Sequence, residues 1–175
     1  MLDLYRRIND VLATLITGFT GCLVIIIVIL PFAGTVIRLM TGEGYTWVAE
    51  TPPQLVPWVV FPLIGVILRN DGHIAVDVVP HFLRGRALMV LRIVMLAICV
   101  AAAIAFAVFG ARTVMFFQKL GQMSTTEFEF PLWYLYVSYP LGFALAANFC
   151  IEALLLELAG KRGPPVASAA PPAAS

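Results

Sequence analysis

The sequence is poor in charge. Asp, Glu, Lys and Arg make up 12% of its 175 residues, while apolar residues make up 61%. A soluble domain has about 25% and about 45–50% respectively. A globule of this size could not hide so much apolar surface, which excludes a soluble enzyme, and a disordered chain is excluded with it. The net charge of +1 gives no basic footprint for a phosphate backbone, so nucleic acid is excluded as a partner. Histidine is scarce too. His73 and His81 both lie outside the long apolar runs, where a membrane b-type haem would need axial histidines. Their spacing to Asp71 and Asp77 matches no strong zinc pattern. Cys22, Cys99 and Cys150 sit in three different apolar runs with no C-x-x-C pair. A membrane thiol oxidoreductase needs such pairs, so these are read as small packing residues. Alternating strand patterns are absent as well, which removes a β-barrel. An all-α integral membrane protein remains.

The charge map measures the spans. A membrane helix needs about 20 mostly apolar residues, and a charge near its centre costs about 2.5–3.5 kcal/mol. Four windows are free of charge: Val11 to Ile37, Thr51 to Leu68, Ile93 to Ala111 and Phe130 to Ile151. They predict four transmembrane helices, over about 11–37, 52–68, 90–111 and 130–151. The second is the shortest and carries Pro57 and Pro62. The first is longer than the apolar core of a signal peptide and no A-x-A site follows it, so it is read as a span. Residues 1–162 form one membrane domain, and the Pro/Ala/Ser tail 163–175 is expected to be disordered.

Lys and Arg set the orientation. Arg6, Arg7, Arg69, Arg84, Arg86, Arg92, Lys161 and Arg162 fall on one side, and Arg38, Arg112 and Lys119 on the other. Both termini are therefore expected in the cytoplasm, in a bacterial inner membrane. Trp47, Trp58 and Trp133, with Tyr45, Tyr134 and Tyr136, then form an aromatic belt at the outer interface. Thr46 to Glu50 is expected to be a short interfacial helix. The inner loop is expected to hold an in-plane amphipathic segment, with Ile74, Val76, Val78 and Val79 alternating with polar residues and Arg84 at the headgroups. The third helix is expected to continue past Arg112.

No Asp, Glu, Lys, Arg or His lies near the middle of any window. Coupled transporters place such groups, or broken helices, at the midplane. Pro31, Pro62 and Pro140 read as kinks tolerated in lipid. Glu152 closes the last window and is expected to pair with a basic residue of the inner loop. Small residues line several helix faces: Thr14, Thr17, Gly18 and Gly21 on the first, Ala103, Ala107 and Ala111 on the third, and Gly142 with Ala146 on the fourth. Such faces let helices approach closely. They serve either packing within the bundle or the docking of a second membrane protein.

Several motifs carry a resemblance. Trp47-Val-Ala-Glu50, then Trp58 and Phe61, are followed by Arg69-Asn-Asp-Gly-His73-Ile-Ala-Val-Asp77 and Phe82-Leu83. Pro131-Leu-Trp133 and Tyr139-Pro-Leu-Gly-Phe143 stand near the C-terminus. The chain resembles the small, four-helix membrane subunit of tripartite ATP-independent periplasmic (TRAP) transporters. Thr51-Pro-Pro53 and Pro57 depart from the family's smoother second helix. The resemblance implies a non-catalytic brace for a large multi-span subunit, which carries the substrate and sodium sites. A periplasmic binding protein delivers an organic acid, and membrane lipids surround the complex. No cofactor is expected in this chain, and sodium is expected in the partner. Trp47 and Glu50 would anchor the outer loop. Arg69, His73 and Asp77 would order the inner segment, with Asp77 paired to Arg69 or Arg84. A stand-alone four-helix exporter or redox protein is the alternative, but it lacks the carboxylate, thiol pair or haem ligands that it would need.

Overall fold

The computed structural model describes residues 2–69, 86–127 and 129–159. Four helices follow in order: α1 (Leu2–Thr41), α2 (Thr46–Arg69), α3 (Arg86–Leu120) and α4 (Trp133–Leu158). All four are long and apolar enough to cross a membrane. No strand occurs among the described residues; one isolated bridge joins Met123 to Pro131.

The helices outrun the charge-free windows because charge ends an apolar run without ending a helix. α1 begins nine residues before Val11 and carries Arg6, Arg7 and Asp10 in its first turns. It stops at Gly42, whose φ of 76° is open to glycine without strain. The Gly42 N–H donates to the Arg38 carbonyl at 2.9 Å, closing the helix end. α2 begins at Thr46, so Thr46 to Glu50 is not a separate interfacial helix but the first turn of α2. Four prolines sit inside α2. Each removes one backbone donor, and the surrounding helices hold the element together. α3 does continue past Arg112, to Leu120. The fourth window begins too early: Phe130 to Leu132 lie before α4, where the Leu132 N–H donates to the Gln122 carbonyl at 3.0 Å.

The helices pack as a row in the order α1, α2, α4, α3. α2 and α4 form the middle, and α1 and α3 are the two edges. Glycines set the close approaches. A Cβ on Gly142 of α4 would stand on the backbone of Phe61 in α2, and one on Gly65 would lie 3.0 Å from the Ala146 nitrogen. A Cβ on Gly110 of α3 would lie 3.0 Å from the Tyr139 ring and 3.2 Å from the Pro140 nitrogen. Around these contacts Phe149, Val66, Ala13 and Ile16 form one core cluster, and Ala103, Ala146 and Ala147 another. Phe61, Tyr139, Phe143 and Phe106 add a chain of ring contacts with centroids 4.4 to 6.0 Å apart. The small residues of α3 and α4 thus serve internal packing in large part. Those of α1 do not.

The start of α1, the end of α2, the start of α3 and the end of α4 lie on one side of the row. That side is called the terminal end below, and the opposite one the hairpin end.

Candidate functional site

Apolar packing holds the middle of the row, and polar side chains hold its two ends. At the terminal end Arg69 closes α2 and reaches two helices at once. Its Nε donates to Glu152 Oε2 at 2.9 Å and its Nη2 to Glu152 Oε1 at 3.1 Å. Nη2 also donates to Asp10 Oδ1 of α1 at 2.6 Å. The guanidinium lies 5.6 Å from the centre of the Phe149 ring, within cation–π range. Glu152 is 3% exposed and takes a third donor, Asn9 Nδ2, at 2.9 Å. Asn148 Nδ2 donates to Asn9 Oδ1 at 2.8 Å, and the Tyr5 hydroxyl donates to Asn148 Oδ1 at 2.7 Å. Each polar group hands its bond to the next, from Tyr5 to Arg69. A buried carboxylate with a bidentate arginine and an amide donor has its charge well compensated.

One turn further along α4 the compensation is poorer. Glu157 is 7% exposed, and Arg92 of α3 faces it at 3.8 Å, beyond hydrogen-bond distance. Its Oε2 has no hydrogen-bond partner among the described residues.

The hairpin end is tied by a reciprocal pair. The Glu127 N–H donates to Glu50 Oε2 at 2.9 Å, and the Trp47 N–H donates to Glu127 Oε2 at 3.0 Å. Trp47 is among the first residues of α2, whose leading N–H groups have no partner within the helix. A carboxylate there also complements the helix dipole. The pair joins the α1–α2 turn to the α3–α4 loop. Within that loop the Ser124 N–H donates to the Phe130 carbonyl at 2.8 Å.

The residues singled out in the sequence thus separate. Arg69 and Glu152 meet, as expected of Glu152 and a basic residue at the inner loop. The Trp47 N–H and the Glu50 carboxylate both bond Glu127 of the α3–α4 loop. Trp133 lies at the hairpin end, stacked on Tyr134 with centroids 3.9 Å apart. Trp58 does not join it. It stands twelve residues into α2, about 18 Å along the axis, because α2 starts earlier than its apolar window. Thr14, Gly18 and Gly21 are exposed, and a Cβ on either glycine would meet nothing within 4 Å. Thr14 donates to the Asp10 carbonyl of its own helix at 2.9 Å. His73, Asp77, Arg84 and the in-plane segment lie outside the described residues, as does the tail. Arg69 already has two carboxylate partners, Asp10 and Glu152.

The sequence reading does not single out Tyr5 or Asn9, takes Asp10 only as the edge of the first charge-free window, and places Asn148 only near the small face of Gly142 and Ala146. A search for charge passes over amides. The available signal was Asn9 and Asn148 themselves, two amides among the least apolar positions of their helices.

A family model described as "Tripartite ATP-independent periplasmic transporters, DctQ component" matches residues 27–160. Neither the curated proteins nor the solved structures gave a match.

Proposed function

The chain belongs to the DctQ component family of tripartite ATP-independent periplasmic transporters, and on that premise we propose that it braces the large membrane subunit during sodium-driven uptake of an organic acid. The family is a transporter component and not an enzyme. Its tripartite make-up implies a large membrane subunit and a periplasmic binding protein as partners.

The observation that carries the bracing role is where the polar groups stand. Their bonds tie helix to helix at the two ends of the row, and the charge-free windows lie between. Ends fixed in this way favour a rigid body over a moving carrier, and substrate and sodium then belong to the large subunit. The Lys and Arg count supports a bacterial inner membrane protein with its terminal end on the cytoplasmic side. Trp47, Glu50 and Trp133 then face the periplasm, where the loaded binding protein arrives. Arg69 holds the cytoplasmic end, and His73, Asp77 and Arg84 follow it in the adjoining segment.

The test is uptake into proteoliposomes. The large subunit with this chain should take up an organic acid from its loaded binding protein only under an inward sodium gradient. This chain alone should take up nothing, and the large subunit alone should be strongly impaired. Full uptake without this chain would sink the bracing role. Alanine at His73 or Asp77 should lower assembly or uptake while the soluble protein still binds its substrate.

A further inference from the structure

Proline marks one level of the row. Inside the described helices it stands at Pro31 of α1, at Pro52, Pro53, Pro57 and Pro62 of α2, and at Pro140 of α4. Contacts between the helices put these positions at a common height. Gly34 of α1 lies so close to Val48 of α2 that a Cβ would strike its side chain. Pro31 comes three residues from Gly34 toward the terminal end, and Pro52 four residues from Val48 in the same direction, so their levels agree within about 2 Å. Gly142 of α4 lies against Phe61 of α2. Pro140 precedes Gly142 by one helical half-turn, and Pro57 and Pro62 bracket Phe61. α3 has no proline, but its one glycine, Gly110, lies against Tyr139 and Pro140. The belt from Pro52 to Pro62 covers about 15 Å of α2.

The belt is weak in two ways. A proline has no N–H for the carbonyl four residues before it. In α2 the carbonyls of Val48, Ala49, Pro53 and Trp58 therefore lack their ordinary helical donor. Helices bend at such places. Burial is missing as well. No residue from Ala49 to Phe61 is buried, whereas Val48 is buried on one side of this stretch and Pro62, Gly65 and Val66 on the other. The blocks above and below are held. Toward the hairpin end Glu50, Glu127 and Trp47 tie α2 to the α3–α4 loop. Toward the terminal end Arg69, Glu152, Asn9 and Asp10 join α2, α4 and α1. Within the belt α4 meets α2 at Gly142 and α3 at Gly110 with backbones in close approach. A turn about those contacts displaces few side chains.

We propose that the belt is a transverse hinge, about which the hairpin end rocks as one block against the terminal end. Each block keeps its own bonds, so the chain flexes between two rigid ends and does not move as a carrier does. A swing of about 20°, the size at which a proline kink becomes sharp, would move the first turn of α2 by about 6 Å, since Thr46 stands about 16 Å from Pro57. The hinge needs only this chain and does not depend on the subunit reading. With that reading, it lets the periplasmic face turn while the cytoplasmic network stays fixed.

The experiment is backbone amide relaxation dispersion on the full chain in lipid nanodiscs, which reads the microsecond-to-millisecond motion of hinges. Phe32 of α1, Gln54 and Val60 of α2 and Phe109 of α3 should show dispersion with one shared rate. Ile16, Val66 and Ala153, in the terminal block, should show none. The triple variant Pro52→Ala, Pro53→Ala and Pro57→Ala returns three missing donors and should abolish the dispersion at all four belt amides, including the two that lie on other helices. Its melting temperature checks that it folds, and Pro31→Ala, which should also reduce the dispersion at Gln54, takes its place if it does not. No dispersion in the belt overturns the hinge. So do unrelated rates in the three helices, which mean separate local fraying, and a shared rate that the alanines leave unchanged.

Discussion

Removing Arg69 should be the most damaging single truncation of a polar side chain at the terminal end. Glu152 is almost fully enclosed, and Arg69 supplies two of its three hydrogen bonds. Arg69→Ala leaves the carboxylate buried with only the Asn9 amide. Breaking a buried pair from one side costs about 3–5 kcal/mol. The bond to Asp10 adds little, because the Asp10 side chain is 57% exposed and such pairs contribute about 0–1 kcal/mol. The expected loss is therefore about 3–5 kcal/mol, or roughly 6–20 °C in melting temperature for a chain of this size. Arg69→Lys keeps the charge and loses the fork, so its loss should be smaller. Arg69→Met combined with Glu152→Leu removes both charges and should recover most of the stability. The assay is reversible unfolding of the purified chain in mixed micelles, read as the free energy of each variant and of the double-mutant cycle. A loss below about 0.5 kcal/mol for Arg69→Ala, the range of neutral surface substitutions, would refute the reasoning. So would a double variant as unstable as the sum of its parts, since the damage would then not come from a stranded charge.

Glu157→Gln should be neutral or stabilising, because its carboxylate is buried with one loose cation and an unbonded oxygen; Glu152→Gln should be destabilising in the same unfolding assay. Gly142→Ala should cost about 1–3 kcal/mol by forcing α4 off the Phe61 backbone, since overpacking costs that much. Gly18→Ala, where the added methyl meets nothing, should instead gain up to about 1 kcal/mol in the isolated chain from helix propensity. Glu127→Ala should shift global stability by less than about 1 kcal/mol, as expected of an exposed bond. It should nonetheless speed hydrogen exchange at the Trp47 amide, which donates to the Glu127 carboxylate.

The sequence made the four helices legible because hydropathy reports desolvation directly. It did not make their ends legible. Arg6, Arg7 and Asp10 close an apolar window, yet α1 runs through them, since charged residues cost a helix nothing where water or headgroups solvate them. The misplacement of Trp58 follows from the same cause, as α2 starts with polar and proline-rich residues that no apolar window includes. Arg69 and Glu152 could be singled out as charges at the edges of windows. Their meeting depends on α2 lying between α1 and α4, a neighbour order that periodicity does not encode. Asn9 and Asn148 carry no charge, so a search for charge passes over them, although they complete the network. The small residues show the limit of a motif read alone. Gly142 and Ala146 are filled by α2, while Gly18 and Gly21, with the same spacing logic, face open space.

The row has a physical consequence that a compact four-helix bundle would not have. In a bundle each helix can bury a face against two neighbours. Here α1 has α2 as its main neighbour and α3 has α4, so most of each edge helix meets whatever surrounds the chain. Lipid offers no hydrophobic drive to gather the edges inward. Stability must then come from close backbone approach in the middle, at Gly65, Gly110 and Gly142, and from polar bonds at the ends. Both are short-ranged and geometrically strict, which favours one arrangement over a family of sliding ones. The two edges need not be equivalent. Glu152, deep in the network, ties α2, α4 and α1 together through Arg69 and Asn9, whereas α3 meets α4 at that end through the looser Arg92–Glu157 pair. The α1 edge is therefore held more firmly at the terminal end than the α3 edge.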